Sequence, residues 1–441
     1  MTGLILIELN EINFDLVRRY IEEDADLPVL SQLMRQGESK SLSEDIYDHL
    51  EPWIQWPSVH TGKTYNEHQV FRLGDAVNYT GMQLFEEIEG RGYIVGNLSA
   101  MNAANRLEKP AFFIPDPWTD TPADSSFVSR ALAQAVSQTV NDNSGGKITA
   151  RSALNLALAS IALISPRRYF WFVKKLFWAL RKPWRKAMFL DLLLAEYFAV
   201  LLKRKKPEFS TLFLNAGAHI QHHYMLSSTV LADRAFRNPD WYVVRGADPL
   251  LEVYQQYDEI LGQLTLLPNA RYIIATGLSQ KPYDKPVFYY RLAKHESFLD
   301  LLDIAYLSVE PRMTRDFLIR FADDAARDGA VEKLSALAID GVALFGQLDK
   351  RPKEVFVTMD YPMEISSNTV LDANRFLDPS FKLANHVNFV AIKNGEHQGK
   401  GFVFIDSRLE GAEFKDGDHV ARLYDTIMSQ FPDRNSGEAA E

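Results

Sequence analysis

Three groups of side chains in this sequence have the types and spacing for chemistry. Glu8, Asn10 and Glu11 follow an apolar run at residues 4–7. Glu51 and Gln55 stand beside Trp53 and Trp56, with His60 a few residues on. Asn215, His219, His222 and His223 follow a second apolar run, and His397 lies near the carboxyl end. Two carboxyls flanking one bond can act as acid and base and cleave or transfer a glycoside without a metal. Glu8, Glu11 and Glu51 are the candidates for that work. Amides suit sugar hydroxyls and aromatic rings suit sugar faces. Asn10, Trp53, Gln55, Trp56, His60, Asn215, His219 and His397 are therefore assigned to substrate binding. No metal is expected at such a centre. The alternative uses His219 and His222, three apart on one helix face, with His397 and one zinc-like divalent ion.

These side chains need elements to hold them. The runs at 4–7 and 211–214 read as buried parallel strands, with further strands at 93–97, 271–276, 355–359 and 402–405. Helical patterns fall at 16–23, 29–36, 82–91 and 249–266, and 294–338 reads as largely helical. Residues 51–62, with two Trp and two Pro, read as a stiff, part-apolar turn closed by Thr61 and Gly62. Such a turn at the carboxyl edge of a parallel sheet is where α/β proteins place ligands. Strand–helix alternation implies a mostly parallel sheet covered on both faces, a three-layer α/β/α sandwich. The chain divides into a first part of that core at 1–147, a helical insert at 148–206 and a second part at 207–432. A polar tail at 433–441 reads as disordered.

Composition narrows the function. The 441 residues contain no cysteine, which excludes disulfides, thiolate metal sites and a Cys nucleophile. The net charge of −10 argues against general nucleic-acid binding. Residues 165–206 hold twelve Lys/Arg against Asp191 and Glu196, so this segment is +10 and the rest of the chain −20. Its basic residues alternate with aromatics, as in Arg167, Arg168, Tyr169, Phe170, Trp171 and Phe172. That pattern suits a lid over an anionic substrate, a peripheral contact with an anionic membrane, or a solvated face over inward aromatics. The first residues lack a basic n-region and no apolar run is long enough to cross a bilayer, so a cytoplasmic location is expected.

The order of these pieces resembles the alkaline phosphatase superfamily, in its type I phosphodiesterase/nucleotide pyrophosphatase branch. The words that carry the resemblance are Thr61 and Gly62 with His68 and Gln69, then Asn215-x-x-x-His219, then His397 ahead of the strand that starts near Phe402. They span nearly the whole chain apart from the basic insert. The family implies two zinc-type ions held by Asp and His, with a hydroxyl nucleophile between them. Here Asn10 and Asn215 fall at Asp positions, Gln55 falls at the nucleophile, and Gly277 and Leu278 fall at an Asp-His pair. Of the metal ligands the resemblance implies, only His219 and His397 match. Two-metal phosphoryl transfer needs anionic ligands and an ionisable nucleophile, and amides supply neither.

The expected function is therefore an alkaline phosphatase-type fold turned to metal-independent acid/base chemistry on a saccharide or sugar phosphate. The alternatives are a one-metal phosphodiesterase-like hydrolase using His219 and His397, and an inactive glycan-binding or membrane-peripheral scaffold.

Overall fold

The strand Leu4–Leu9 lies at the middle of a seven-stranded sheet. The computed structural model describes residues 3–141, 164, 168–312, 315–346, 348–372, 375–378 and 380–435. Most of the expected tail and the first part of the expected insert lie outside these residues. Across the sheet the order is Ser39–Leu42, Lys400–Ile405, Arg271–Ala275, Leu4–Leu9, Phe209–Leu214, Val95–Leu98 and Phe112–Ile114. The last five are parallel, and Lys400–Ile405 runs antiparallel to both of its neighbours.

Alternation along the first strand shows why both faces are covered. Ile5, Ile7 and Leu9 pack into one core with Leu192 and Tyr254. Leu4 and Leu6 pack into another with Trp56, Val59 and Leu423. Side chains two apart share a face, so a strand buried on both sides reads as unbroken apolar sequence. This is the three-layer α/β/α arrangement expected from the sequence.

Residues 51–62 depart from expectation: they form the helix Pro52–Thr61 rather than a turn. Pro52 takes a first-turn position, where a missing N–H costs nothing. Pro57 lies inside the helix and leaves the Trp53 carbonyl without its usual donor. The Asn102 side chain fills that gap, donating from Nδ2 to the Trp53 oxygen at 2.8 Å. Gly62 ends the helix in the left-handed region (φ 68°), with its N–H on the Ser58 carbonyl.

Residues 294–338 also differ from the largely helical expectation. Helices His295–Leu301 and Asp324–Ser335 enclose strands Ser308–Pro311 and Asp316–Arg320. These join Asp349–Arg351 and Glu354–Thr358 in a four-stranded sheet with its own core around Phe298, Phe317 and Val357. A long antiparallel pair, Ser279–Leu292 with Val387–Gln398, carries the chain out to this body and back. In its register His397 stands opposite Gln280.

The described part of the insert is two helices, Tyr169–Leu180 and Arg185–Lys205. Asp191 on the second is buried. It accepts from the Asn215 and Ala216 N–H groups at 3.2 and 2.7 Å and from the Tyr257 hydroxyl at 2.7 Å. Asp191 thus satisfies the free N–H groups at the start of the helix Ala216–Tyr224, which carries three histidines. Burial pushes its carboxyl up to about 6, against these three bonds.

Candidate metal centre

Glu11 lies just past the end of the first strand in the left-handed region (φ 61°), a conformation that costs energy for a residue with a Cβ. Its N–H donates to the Thr276 carbonyl at 3.0 Å. Its own carbonyl accepts from Gln221 Nε2 at 2.6 Å. The carboxylate is held as well: Asn10 Nδ2 donates to Oε1 at 3.0 Å and Gln280 Nε2 donates to Oε2 at 2.5 Å. Backbone strain and four polar contacts therefore fix one buried carboxylate in one orientation.

Two histidines meet it. His222 Nε2 stands 3.1 Å from Glu11 Oε2, His397 Nε2 stands 3.0 Å from the same oxygen, and the two nitrogens are 3.2 Å apart. Three lone-pair atoms thus form a nearly equilateral triangle. Ligands about 2.0–2.2 Å from a shared tetrahedral ion stand roughly 3.3–3.6 Å apart, close to these edges. One carboxylate with two imidazoles is a donor set for a divalent first-row ion. The Glu11 side chain is 3% exposed, His397 13% and His222 30%, so the group opens to solvent on the His222 side. Among the described residues it is the single His/Cys/Asp/Glu group with this convergence.

The same contacts pair charge across the triad. Burial pushes the Glu11 carboxyl up, but His397 and His222 override it and hold the group well below the usual carboxylate range. Burial pulls His397 down, while Glu11 and then Glu51 pull it up, with a net rise. Glu51 Oε2 lies 3.4 Å from His397 Nδ1, on the ring atom turned away from the triad. A carboxylate behind a ligating imidazole fixes its tautomer and raises its basicity. Burial, partly offset by His397, pushes Glu51 up to about 7.

The other expected residues divide into two sets. Asn10 and Asn215 adjoin the triad, but they bond each other, Asn10 Nδ2 donating to Asn215 Oδ1 at 2.8 Å. Trp56 Nε1 donates to Asn10 Oδ1 at 2.8 Å, which completes the Asn10 amide. The two positions at which the resemblance implies metal-binding Asp are thus closed into an amide pair. His219 is reached by solvent yet ringed by protein atoms, which pull its pKa down to about 4, with His222 adding to the effect. It lies one turn before His222 and outside the triad.

Glu8, Trp53, Gln55, Trp56 and His60 do not join the triad. Glu8 lies on the same face of its strand as Leu6, beneath the Pro52–Thr61 helix, and its Oε1 meets His60 Nε2 at 2.8 Å. Both residues are fully buried. Gln55 is fully buried and donates to the His49 carbonyl at 2.8 Å. Trp56 is fully buried against Phe213, so it offers no ring face to a sugar. Trp53 Nε1 donates to the Phe71 carbonyl at 3.1 Å. Gly277 and Leu278 supply no ligand: the first has no side chain and the second is fully buried.

The triad corrects the expectation of a metal-free centre, and it also corrects the expected alternative ligands. Glu11 replaces His219 beside His222 and His397. With Asn10, two glutamines that no motif singles out hold Glu11: Gln221 on its carbonyl and Gln280 on its carboxylate. Their signal in the sequence is slight: Gln221 directly precedes His222, and Gln280 follows the end of the strand Arg271–Ala275 by a few residues. Two surface recesses lie elsewhere, one lined by Trp241, Tyr290 and Phe389 and one by Glu44, Asp45 and His419; neither includes a triad residue.

The chain matches no protein-family model and no curated protein. Solved structures similar to it include phosphonoacetate hydrolase from Sinorhizobium meliloti 1021 in complex with phosphonoformate. There the identity is 11% and the TM-score 0.42, over 97% of this chain and 96% of that one. Murine ectonucleotide pyrophosphatase/phosphodiesterase 5 overlaps at 9% identity and a TM-score of 0.38, over 98% and 95% of the two chains. Alkaline phosphatase PafA does so at 9% and 0.39, over 97% and 95%. At such TM-scores the likeness carries nothing about chemistry, which must be argued from the triad.

Proposed function

We propose that this chain is a hydrolase built on one divalent cation, acting on a phosphate ester, sugar phosphates included. The observation that supports it is the convergence of Glu11 Oε2, His222 Nε2 and His397 Nε2 within 3.0–3.2 Å of one another. Three facing lone-pair atoms repel unless protons or a cation lie between them. A divalent ion held by these residues would supply Lewis acidity toward water and toward a phosphoryl oxygen.

The protein's own residues do the rest. Glu11 brings the negative charge that an amide at position 10 or 215 lacks. Glu51 orients the His397 ring from the side away from the ion site. Asn215, which bonds Asn10 beside the triad, and the solvent-reached His219 are the candidates for substrate contact. Lys393, half-buried, is close enough for its charge to act on both Glu51 and His397, which favours an anionic substrate over a neutral sugar.

Metal analysis of the purified protein, paired with hydrolysis assays on a sugar phosphate and an aryl phosphodiester, tests this reading. The expected result is one equivalent of a zinc-like ion per chain, with turnover lost to chelator and restored by the ion. Turnover that persists in chelator with no stoichiometric metal would overturn it.

A further inference from the structure

The helix Tyr169–Leu180 turns the wrong residues outward. Only Phe172 and Ala179 are buried on it. Phe170 is 83% exposed, Phe177 63% and Leu180 62%, and Val173 and Leu176 are exposed with them. At 100° per residue these five positions fall in one arc about 120° wide, as broad as the apolar face a surface helix normally hides. A continuous exposed apolar strip of this kind marks an interaction surface.

Charge runs along the strip. Lys174 and Arg181 border it on the helical wheel, with Lys186 beyond. All three are exposed, and none has an acidic partner among the described residues. The cations on the inner side are treated differently. Lys175 pairs with Glu259 at 3.3 Å, Arg185 with Glu252 at 2.8 Å and Arg168 with Glu196. Arg168 and Arg185 also lie over the half-buried Trp171 and Trp178, at 4.2 and 4.6 Å from the ring centroids. The inner side is thus packed and neutralised, whereas the outer side is apolar and positive.

We propose that this helix lies flat on an anionic lipid bilayer, with Phe170, Val173, Leu176, Phe177 and Leu180 in the interface and Lys174 and Arg181 against the headgroups. Charge selects this occupant. The outward cations Lys174, Arg181 and Lys186 stand beside the strip in a segment that is +10 against −20 for the rest of the chain, so this face is the one an anionic sheet attracts. A second copy would set two like-charged strips face to face. The helix is amphipathic and too short to span, and no described helix is long and apolar enough to cross a membrane. This inference does not depend on the metal centre.

Flotation of the full chain with vesicles tests it, comparing phosphatidylcholine alone with phosphatidylcholine carrying about one-third phosphatidylserine. The wild type should float with the second and not the first, and should release when salt rises from about 0.1 to 1 M. Lys174→Gln with Arg181→Gln should weaken partitioning about 30-fold. Phe177→Ser with Leu180→Ser should abolish it with an unchanged melting temperature, because both side chains are exposed. If that second variant melts early, the charge variant still decides. Equal flotation on both vesicle types, no flotation on either, or no response to the charge variant would overturn the inference. So would self-association in solution that Phe177→Ser removes, because the strip would then be an interface between copies.

Discussion

Glu11→Gln tests the metal centre at its single anionic member. The substitution keeps the length of the side chain and an oxygen for the Asn10 amide, and it leaves the strained backbone with a residue of similar shape. It removes the charge. Because the carboxylate is only 3% exposed, water cannot make up the loss for His222 and His397. Taking one partner from a buried, charge-paired group costs about 3–5 kcal/mol. At about 1.4 kcal/mol per factor of ten, zinc affinity should fall roughly a hundredfold to several thousandfold. Thermal unfolding of chelator-stripped protein, with and without zinc, reads this directly. At a free ion concentration about a hundredfold above its dissociation constant, the wild type gains about 2.7 kcal/mol. At the same concentration the variant should gain no more than about 0.4 kcal/mol. Equal zinc stabilisation of the two proteins, or none in the wild type, would refute the assignment of Glu11 as a ligand.

Two further outcomes follow from the same contacts. Glu51→Gln leaves the three ligands in place but loosens the His397 ring, so zinc affinity should fall about 10–100-fold, and unchanged affinity in a competition titration would remove Glu51 from the site. His68 tests a different part of the molecule. Its Nδ1 accepts from the Val70 N–H at 2.9 Å and its Nε2 lies 3.0 Å from Ser58 Oγ, which fixes the neutral ring. Burial, partly offset by Glu67, pulls its pKa down to about 4. The folded state therefore binds fewer protons than the unfolded chain below the ordinary value of 6.5. Its contribution is complete above about pH 6.5 and is lost as pH falls toward 4, up to about 3 kcal/mol. Denaturant unfolding across that range should show a shallower pH slope for His68→Gln than for the wild type, and identical slopes would exclude the mechanism.

The sequence by itself determined the sheet. Short apolar runs such as residues 4–7 and 211–214, bounded by polar residues and alternating with helical patterns, read as strands buried on both faces and so as the middle of three layers. Gly62 was legible as the close of residues 51–62, although as the end of a turn and not of the helix that it caps. The basic insert was legible as a charge reversal within an acidic chain.

The tertiary structure decided the chemistry. Glu8 and Glu11 look equivalent in sequence. The strand ends between them, so Glu8 keeps strand parity and is buried against His60, while Glu11 leaves the strand in a left-handed turn and faces the histidines. His219 and His222 share a helix face, but the pitch of that helix and the return of the chain through the long antiparallel pair bring His222 to His397. Three atoms from positions 11, 222 and 397 meet within 3.2 Å because three separately specified elements converge there. No local pattern encodes such a meeting, since spacing along the chain fixes only which face a side chain shares with its neighbours.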